Sequence, residues 1–138
     1  MHEWALAEAI ITTAINAAKK EKVRKITAIS VLLGELQQIN EEIFRYALDE
    51  LTELYKEHFA KVIIDIAIER SQLQCNNCEH IWMFDSMKDS LDEDEAEAIH
   101  FIPEVAFVHT RCPHCGSPDF RVIKGRGVSL ASIKGVKT

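Results

Sequence analysis

The sequence predicts an α+β fold in which a small three-stranded sheet carries two helices on one face, with a separate domain inserted into this unit. Three observations lead to this fold class. Apolar residues recur every three to four positions in two segments, 3–20 and 41–56, as they do on amphipathic helices. Three other segments alternate in polarity or are rich in β-branched residues, as strands are. Four cysteines lie between the second and third of these strand segments.

The two helices are predicted from their apolar faces and from one end signal. In the segment 3–20 the residues that share one side are Trp4, Ala7, Ile11, Ala14 and Ala18. In the segment 41–56 they are Phe44, Ala47, Leu48, Leu51 and Tyr55. Asn40 directly precedes the second helix and is a favourable N-cap, because its side-chain oxygen can accept a hydrogen bond from an amide of the first turn.

Each of the three strands is predicted from a short local pattern. Residues 26–33 form a β-branched run that Gly34 ends. Residues 61–69 have side chains that alternate with a period of two, which makes them the clearest strand. Residues 127–136 form the third strand after a glycine-containing turn. Two helices and three strands are enough for a two-layer unit with one core.

The order of these segments indicates the domain organisation. Because the last strand follows the cysteines, residues 1–70 with 125–138 are predicted to form one α/β domain, and residues 71–124 an inserted domain. A chain of 138 residues has room for one compact core and a small appendage. With 47% apolar residues, five Gly and three Pro, the composition is that of a folded protein.

Charge and hydropathy exclude several kinds of partner. The net charge is −6, and residues 85–97 hold seven acids against one base, Lys88. The rest of the chain is balanced, so it lacks the concentration of Lys and Arg that nucleic-acid binding requires. No apolar run approaches the roughly 18 residues of a membrane span, and no signal-peptide pattern begins the sequence. We therefore expect a cytoplasmic protein that binds neither nucleic acid nor membrane.

The strongest chemical signal is a pair of Cys-x-x-Cys units, Cys75–Cys78 and Cys112–Cys115. In a reducing compartment such units are typical of a tetrahedral metal site, and zinc is the expected ion. Asn76, Asn77 and Gly116 tolerate the positive φ that such tight turns use. A rubredoxin-like iron site and disulfides are the alternatives.

The expected zinc site is structural and not catalytic. The 33 residues between Cys78 and Cys112 exceed the usual spacing. Doubling a loop costs only about 0.6 kcal/mol, against about 10–16 kcal/mol for binding a structural zinc ion, so the long spacer is tolerated. Four thiolates leave no open coordination position. The sequence also carries no nucleotide-binding loop and no nucleophile motif, so we expect no enzyme activity.

The amino terminus, Met1–Glu3, offers a second set of metal ligands. The α-amino group, the amide nitrogen of His2 and the His2 imidazole can close a five-membered and a six-membered chelate ring around one ion, if the amide loses its proton. Square-planar nitrogen coordination of this kind suits Ni(II) or Cu(II). The alternative is a frayed chain end with a solvated histidine.

In combination, these motifs resemble the HypA family, the nickel metallochaperones of [NiFe]-hydrogenase maturation. The resemblance rests on Met1–Glu3 before a helix, on Val31–Leu36, on the two Cys-x-x-Cys units and on Gly125–Val128. It covers nearly the whole chain, and the long spacer looks like the archaeal form. It implies transiently bound nickel at Met1, His2 and Glu3, and a structural zinc ion held by Cys75, Cys78, Cys112 and Cys115.

The resemblance also implies partners. Family members deliver Ni(II) to the precursor of the hydrogenase large subunit together with a HypB-type GTPase, and some also serve urease. A three-nitrogen site needs a fourth donor, for which His100 is the candidate, because its apolar neighbours 101–103 could dock on the other domain. The client enzyme and the oligomeric state, including a homodimer, stay open. The competing hypothesis is a zinc-ribbon interaction module that binds no nickel.

Overall fold

The structure, a computed structural model, describes residues 2–37, 39–84, 93–94, 97–98 and 110–137. The chain divides into two compact units. The first comprises Met1–Leu32, Ile39–Ala67 and Val128–Thr138, and the second comprises Leu33–Gln38 and Ile68–Gly127. Among the described helices, none combines the length and the apolar character that crossing a membrane requires.

The elements of the described residues follow one another in a simple order. They are α1 (Glu3–Lys20), β1 (Val23–Gly34), a 3-10 helix (Glu35–Gln37), α2 (Glu41–Leu54), β2 (Phe59–Glu69), β3 (Gln72–Cys75), β4 (Ile81–Met83), β5 (Phe120–Lys124) and β6 (Val128–Lys137). The first unit contains both helices and the sheet β2-β1-β6. Strand β1 lies in the middle of that sheet, and its Ile26, Ile29 and Val31 are buried. The predicted α+β fold class is therefore confirmed.

Helix α1 spans the predicted range, but Trp4 is not on its buried side. The Trp4 side chain is 47% exposed, whereas Glu3 is only 4% exposed. The buried side runs from Glu3 through Ala7 and Ile10 to Ala14, because these positions share one face at 3.6 residues per turn. The expectation that Trp4 belongs to the core face was wrong.

Helix α2 begins as predicted at Asn40, whose side chain accepts a hydrogen bond from the amide of Ile43 at 3.0 Å. The last turn of α2 contains no basic residue. Instead, the ammonium group of Lys25 in β1 donates to the carbonyls of Lys56 at 3.1 Å and Glu57 at 2.7 Å. A cation supplied by the sheet thus binds two carbonyls of the turn that follows the helix.

The second unit contains a sheet that the sequence did not predict. Strands β4 and β5 both pair antiparallel with β3, so that Leu73 lies opposite Trp82 on one side and Val122 on the other. The core of this unit consists of Leu36, Leu73, Cys75, Trp82, Phe84, Cys112 and Phe120. Strands of four, three and five residues are too short to show a periodic pattern in the sequence.

Residues 33–38, 68–70 and 125–127 also differ from the sequence-based division, which put them in the α/β domain. In the structure they belong to the second unit. For residues 33–38 the reason is Leu36, which is fully buried in the core of that unit. The sequence cannot show in which core a single apolar side chain of a three-residue helix is buried.

A close approach of backbones explains the glycines of the two sequence motifs. A Cβ on Gly34 would collide with the carbonyl oxygen of Gly125, and a Cβ on Gly125 would collide with Ser71. Gly125 also has a φ of +86°, which L side chains rarely adopt. The amide of Gly34 donates to the Gly127 carbonyl at 2.7 Å, and the amide of Leu36 donates to the Gly125 carbonyl at 3.0 Å.

Two carboxylates complete this glycine junction. The amide of Ser71 donates to Glu35 at 3.0 Å, and the amide of Gly125 donates to Glu69 at 2.9 Å. Hydrogen bonds to a charged acceptor are stronger than those between neutral groups. The junction therefore fixes the end of β1, the end of β2 and the turn before β6 to one another, and all three segments lie in the second unit.

We predict that Gly34→Ala lowers the free energy of unfolding by about 1–3 kcal/mol, because the added methyl group forces the backbones apart. Ser30→Ala in the same strand is the control and should change it by about 0.5 kcal/mol or less. Chemical denaturation followed by circular dichroism measures both. Equal stability of the two variants would contradict the close approach.

Candidate metal centres

The four cysteine sulfurs of the second unit converge. All four lie within 4.8 Å of one another, with Cys75 Sγ 3.6 Å from Cys115 Sγ and Cys78 Sγ 3.6 Å from Cys112 Sγ. Four sulfurs bound tetrahedrally at about 2.3 Å from an ion are about 3.8 Å apart, whereas a disulfide bond is about 2.05 Å long. The geometry fits a tetrahedral metal site and not disulfides.

Two knuckles of identical backbone design hold these sulfurs: the first is residues 75–80 and the second is residues 112–117. In each, the amide of the first cysteine donates to the carbonyl five residues later at 2.9 Å. Its sulfur accepts from the amides two and three residues later, at 3.3 and 3.4 Å in the first knuckle and 3.4 Å for both in the second. The first sulfur of each knuckle is therefore held by the same pair of backbone hydrogen bonds.

The position with positive φ is the fourth after the first cysteine in both knuckles. It is Glu79 in the first, with a φ of 67°, and Gly116 in the second, with a φ of +77°. The prediction was right for Gly116, but neither Asn76 nor Asn77 adopts a positive φ. Alignment of the two Cys-x-x-Cys units would have revealed Glu79, because it occupies the place of Gly116.

Asn76 and Asn77 instead connect the knuckles through hydrogen bonds. The Asn76 backbone amide donates to the Asp119 carbonyl, and the Asn76 side-chain amide donates to the Asp119 carboxylate, both at 2.9 Å. The Asn77 side-chain amide donates to Cys115 Sγ at 3.6 Å. Arg121 donates in turn to the side chain of Asn76. The first knuckle is therefore fixed against the second by polar contacts as well as by the cluster of sulfurs.

The acidity of the thiols differs across the cluster. The backbone hydrogen bond from His80 lowers the pKa of Cys78, but desolvation and the three neighbouring thiols raise it to about 12. Hydrogen bonds from the Asn77 side chain and the Ser117 backbone lower the pKa of Cys115 to about 6. Thiolates this close repel one another, so full ionisation of the cluster requires a cation among them. A divalent ion that prefers sulfur, such as zinc, fits this donor set.

The cluster is continuous with the core of the second unit. Cys75 and Cys112 are buried, Cys78 is half-buried and Cys115 is exposed. Beside them the Trp82 and Phe120 rings meet edge to face with centroids 5.3 Å apart. Four thiolates around one ion leave no open position, so the site is suited to holding the fold and not to catalysis.

The amino-terminal motif lies at the start of α1. His2 is the N-cap residue and is exposed, and its carbonyl accepts a hydrogen bond from the amide of Leu6 at 2.9 Å. An α-helix uses the carbonyl but not the amide nitrogen of its N-cap residue. Helix formation therefore does not consume the nitrogen that the chelate needs. Met1 and His100, which the sequence also assigned to this site, lie outside the described residues.

Glu3 has a different environment from His2. Its side chain is buried, and its Oε2 accepts a hydrogen bond from the backbone amide of Asn40 at 3.4 Å. Desolvation raises the pKa of the Glu3 carboxyl, but hydrogen bonds to its charged form, including the one from Asn40, outweigh desolvation and lower that pKa. The carboxylate is thus charged and engaged inside the first unit, a contact that the sequence analysis missed.

Comparison with known proteins identifies the family. Residues 1–135 match the family model described as hydrogenase/urease nickel incorporation, metallochaperone, HypA. The chain belongs to the HypA family. It is 49% identical over 134 residues to the hydrogenase maturation factor HypA of Pyrococcus abyssi, covering 97% of this chain and 95% of the relative. Against the HypA protein of Thermococcus kodakarensis the identity is 43% over 139 residues, with 97% and 95% covered.

A solved HypA structure supports the same fold. The solution structure of the Ni metallochaperone HypA from Helicobacter pylori aligns with a TM-score of 0.65 and 22% identity, covering 100% of both chains. The predicted family and the predicted class, a nickel metallochaperone of hydrogenase maturation, are confirmed by the family model and the HypA relatives. The four-cysteine cluster is consistent with the structural zinc ion expected for HypA.

We predict that Cys75→Ser and Cys112→Ser each lose the bound zinc ion, because three thiolates and a hydroxyl bind it much more weakly than four thiolates. Residues 71–124 should then unfold while the helices of the first unit stay folded. Metal analysis and near- and far-ultraviolet circular dichroism measure the two effects. Full retention of zinc in both variants would refute the four-thiolate assignment.

The positive φ of Glu79 and Gly116 predicts opposite effects on stability when a glycine is introduced in the first knuckle and removed from the second. Glu79→Gly should stabilise the second unit by about 1 kcal/mol, because it removes the strain of a left-handed non-glycine residue. Gly116→Ala should destabilise the second unit by a similar amount, since open space surrounds its missing Cβ and only backbone strain is added. The rate of zinc loss to a chelator measures both variants. Equal rates in the two variants would contradict the assigned backbone conformations.

Proposed function

We propose that the protein binds Ni(II) at its amino terminus and, together with a HypB-type GTPase, delivers it to the large-subunit precursor of a [NiFe]-hydrogenase. The observation that carries the proposal is the family match, which runs from residue 1 to residue 135 and thus includes the amino-terminal motif. Relatives such as the Pyrococcus abyssi protein bear the name hydrogenase maturation factor. This favours hydrogenase over urease as the client.

The proposed nickel donors are nitrogens of the first two residues. The amine of Met1, the amide nitrogen of His2 and the His2 imidazole form two fused chelate rings. Low-spin Ni(II) accepts four such donors in a square plane, and His100 is our candidate for the fourth. The exposure of His2 at the end of a helix supports this assignment, because a metallochaperone has to release its cargo to another protein.

The zinc site has a separate role in this proposal. Its four thiolates are committed to one ion, so nickel is not expected to compete for them when zinc is bound. The sequence contains no nucleotide-binding motif, and we therefore assign GTP hydrolysis to the partner and no catalytic activity to this chain. A reducing cytoplasm is the compartment in which such thiolates persist.

We predict that His2→Ala abolishes tight nickel binding, because the imidazole and one chelate ring are lost. One extra residue before Met1 should do the same, since it displaces the amine from the ring it forms with the His2 amide. Both variants should keep zinc and the fold. A nickel titration followed by visible spectroscopy tests this, because a square-planar Ni(II) complex with nitrogen donors absorbs in the visible.

The pH dependence and the control sharpen this experiment. Nickel affinity should fall as the pH drops below neutrality, because the α-amino group, with an ordinary pKa of about 8, and the amide must lose protons to bind. His58→Ala, in the loop after α2, is the matched control and should leave nickel binding unchanged. Unchanged affinity in the extended chain would show that nickel binds elsewhere, whereas no nickel binding by the intact chain would favour the zinc-ribbon interaction module.

A further inference from the structure

The first turn of α1 contacts the beginning of α2 at two points within the first unit. At the first, Glu3 Oε2 accepts a hydrogen bond from the Asn40 amide at 3.4 Å. At the second, the Trp4 and Tyr46 rings meet edge to face, with centroids 6.0 Å apart and planes at 85°. We call these two contacts the amino-terminal clamp. They involve the two residues that directly follow His2.

The Glu3 contact supplies what α2 cannot supply for itself. In a capping box, the residue three positions after the N-cap reaches back to the N-cap amide, and Glu or Gln performs this role. The N-cap of α2 is Asn40, and the residue three positions later is Ile43, which has no acceptor in its side chain. Glu3 of α1 provides the missing acceptor from another helix.

The position of the Glu3 carboxylate is favourable for a second reason. It lies in the first turn of α1 and accepts a hydrogen bond from the N-cap of α2. Both helix ends carry partial positive charge, which stabilises a carboxylate. The side chain is 4% exposed, so turning it outward to bind a metal ion would break the part-buried hydrogen bond and leave the Asn40 amide without this acceptor.

The Trp4 contact adds a constraint in another direction. Successive residues of an α-helix point about 100° apart around the helix axis. Glu3 and Trp4 therefore attach α1 to α2 on two different sides, and both the position and the rotation of the first turn are fixed. Chain ends are usually poorly ordered unless such contacts hold them. His2 is then the first residue in front of an ordered turn.

We propose that the amino-terminal clamp preorganises the nickel site, with Glu3 acting as a positioning residue and not as a nickel ligand. This inference rests on the proposed function. Fixing the first turn before the metal arrives reduces the conformational entropy that binding must remove. The clamp thereby raises nickel affinity without contributing a donor atom, and Asn40 and Tyr46 of α2 become determinants of a site formed by the chain end.

The first experiment separates a positioning role of Glu3 from a ligand role. Glu3→Ala should weaken nickel binding about tenfold, since the acceptor is lost, and should leave the visible spectrum of the bound nickel unchanged. Glu3→Gln keeps an acceptor oxygen and should recover part of the affinity. A changed spectrum in Glu3→Ala would show that the carboxylate is a ligand and would overturn the proposal.

The second experiment tests the clamp from α2, away from the amino-terminal residues. Asn40→Pro removes the amide that donates to Glu3, and the φ of −75° at Asn40 suits proline. Asn40→Ala is the matched control, because it loses the same side-chain cap but keeps the amide. We expect Asn40→Pro to bind nickel about tenfold more weakly than Asn40→Ala, with equal zinc content.

The aromatic contact gives an independent pair of variants at an exposed position. Tyr46→Ala should weaken nickel binding and speed nickel release, whereas Tyr46→Phe keeps the ring and should behave as the unaltered chain. Equal affinities within both pairs would overturn the clamp. If the extended chain binds nickel as tightly as the intact one, the proposed function fails and the clamp fails with it. If the extra residue before Met1 abolishes nickel binding while the two variants within each pair bind nickel equally well, only the clamp is wrong.

Discussion

The mutual repulsion of four thiolates within 4.8 Å is the constraint on which the second unit depends. The core of this unit consists of seven buried residues, and two of them, Cys75 and Cys112, belong to the candidate metal site. A divalent ion turns that repulsion into attraction and contributes about 10–16 kcal/mol to folding. The short strands, the N–H···S hydrogen bonds and the hydrogen bonds from Asn76 to Asp119 all help to hold the four sulfurs in a tetrahedral arrangement.

The cysteine cluster and the proposed nickel site have opposite chemistry. The cysteine cluster has soft donors, lies partly in a hydrophobic core and has no open position, which suits a metal that stays. The proposed nickel site has nitrogen donors on an exposed chain end, which suits a metal that is handed on. Thiolates also bind nickel strongly, so a zinc ion bound to all four thiolates keeps nickel out of the cysteine cluster. With the proposed nickel site, the protein would separate a structural ion from a cargo ion by donor type and burial.

Long segments with a periodic pattern were predictable from the sequence. Short strands, and residues whose burial depends on a contact with a distant part of the chain, were not. Helix α1, the N-cap of α2 and the three longer strands each have a local signature in the sequence. Strands β3, β4 and β5 have none, because three to five residues cannot establish a period. Trp4 was assigned to the core face because it is apolar, but its neighbour Glu3 takes the buried position in contact with the amide of Asn40.

The sequence by itself determined the family and predicted the ligand types and the metals they prefer, because Cys-x-x-Cys units and the Met1–Glu3 motif are local patterns with direct chemical meaning. Only the tertiary structure decided which backbones touch at Gly34 and Gly125, and where the Glu3 carboxylate is held. The physical reason is distance along the chain. A hydrogen bond between Glu3 and Asn40 joins residues separated by 37 positions, and no local pattern encodes such a partner.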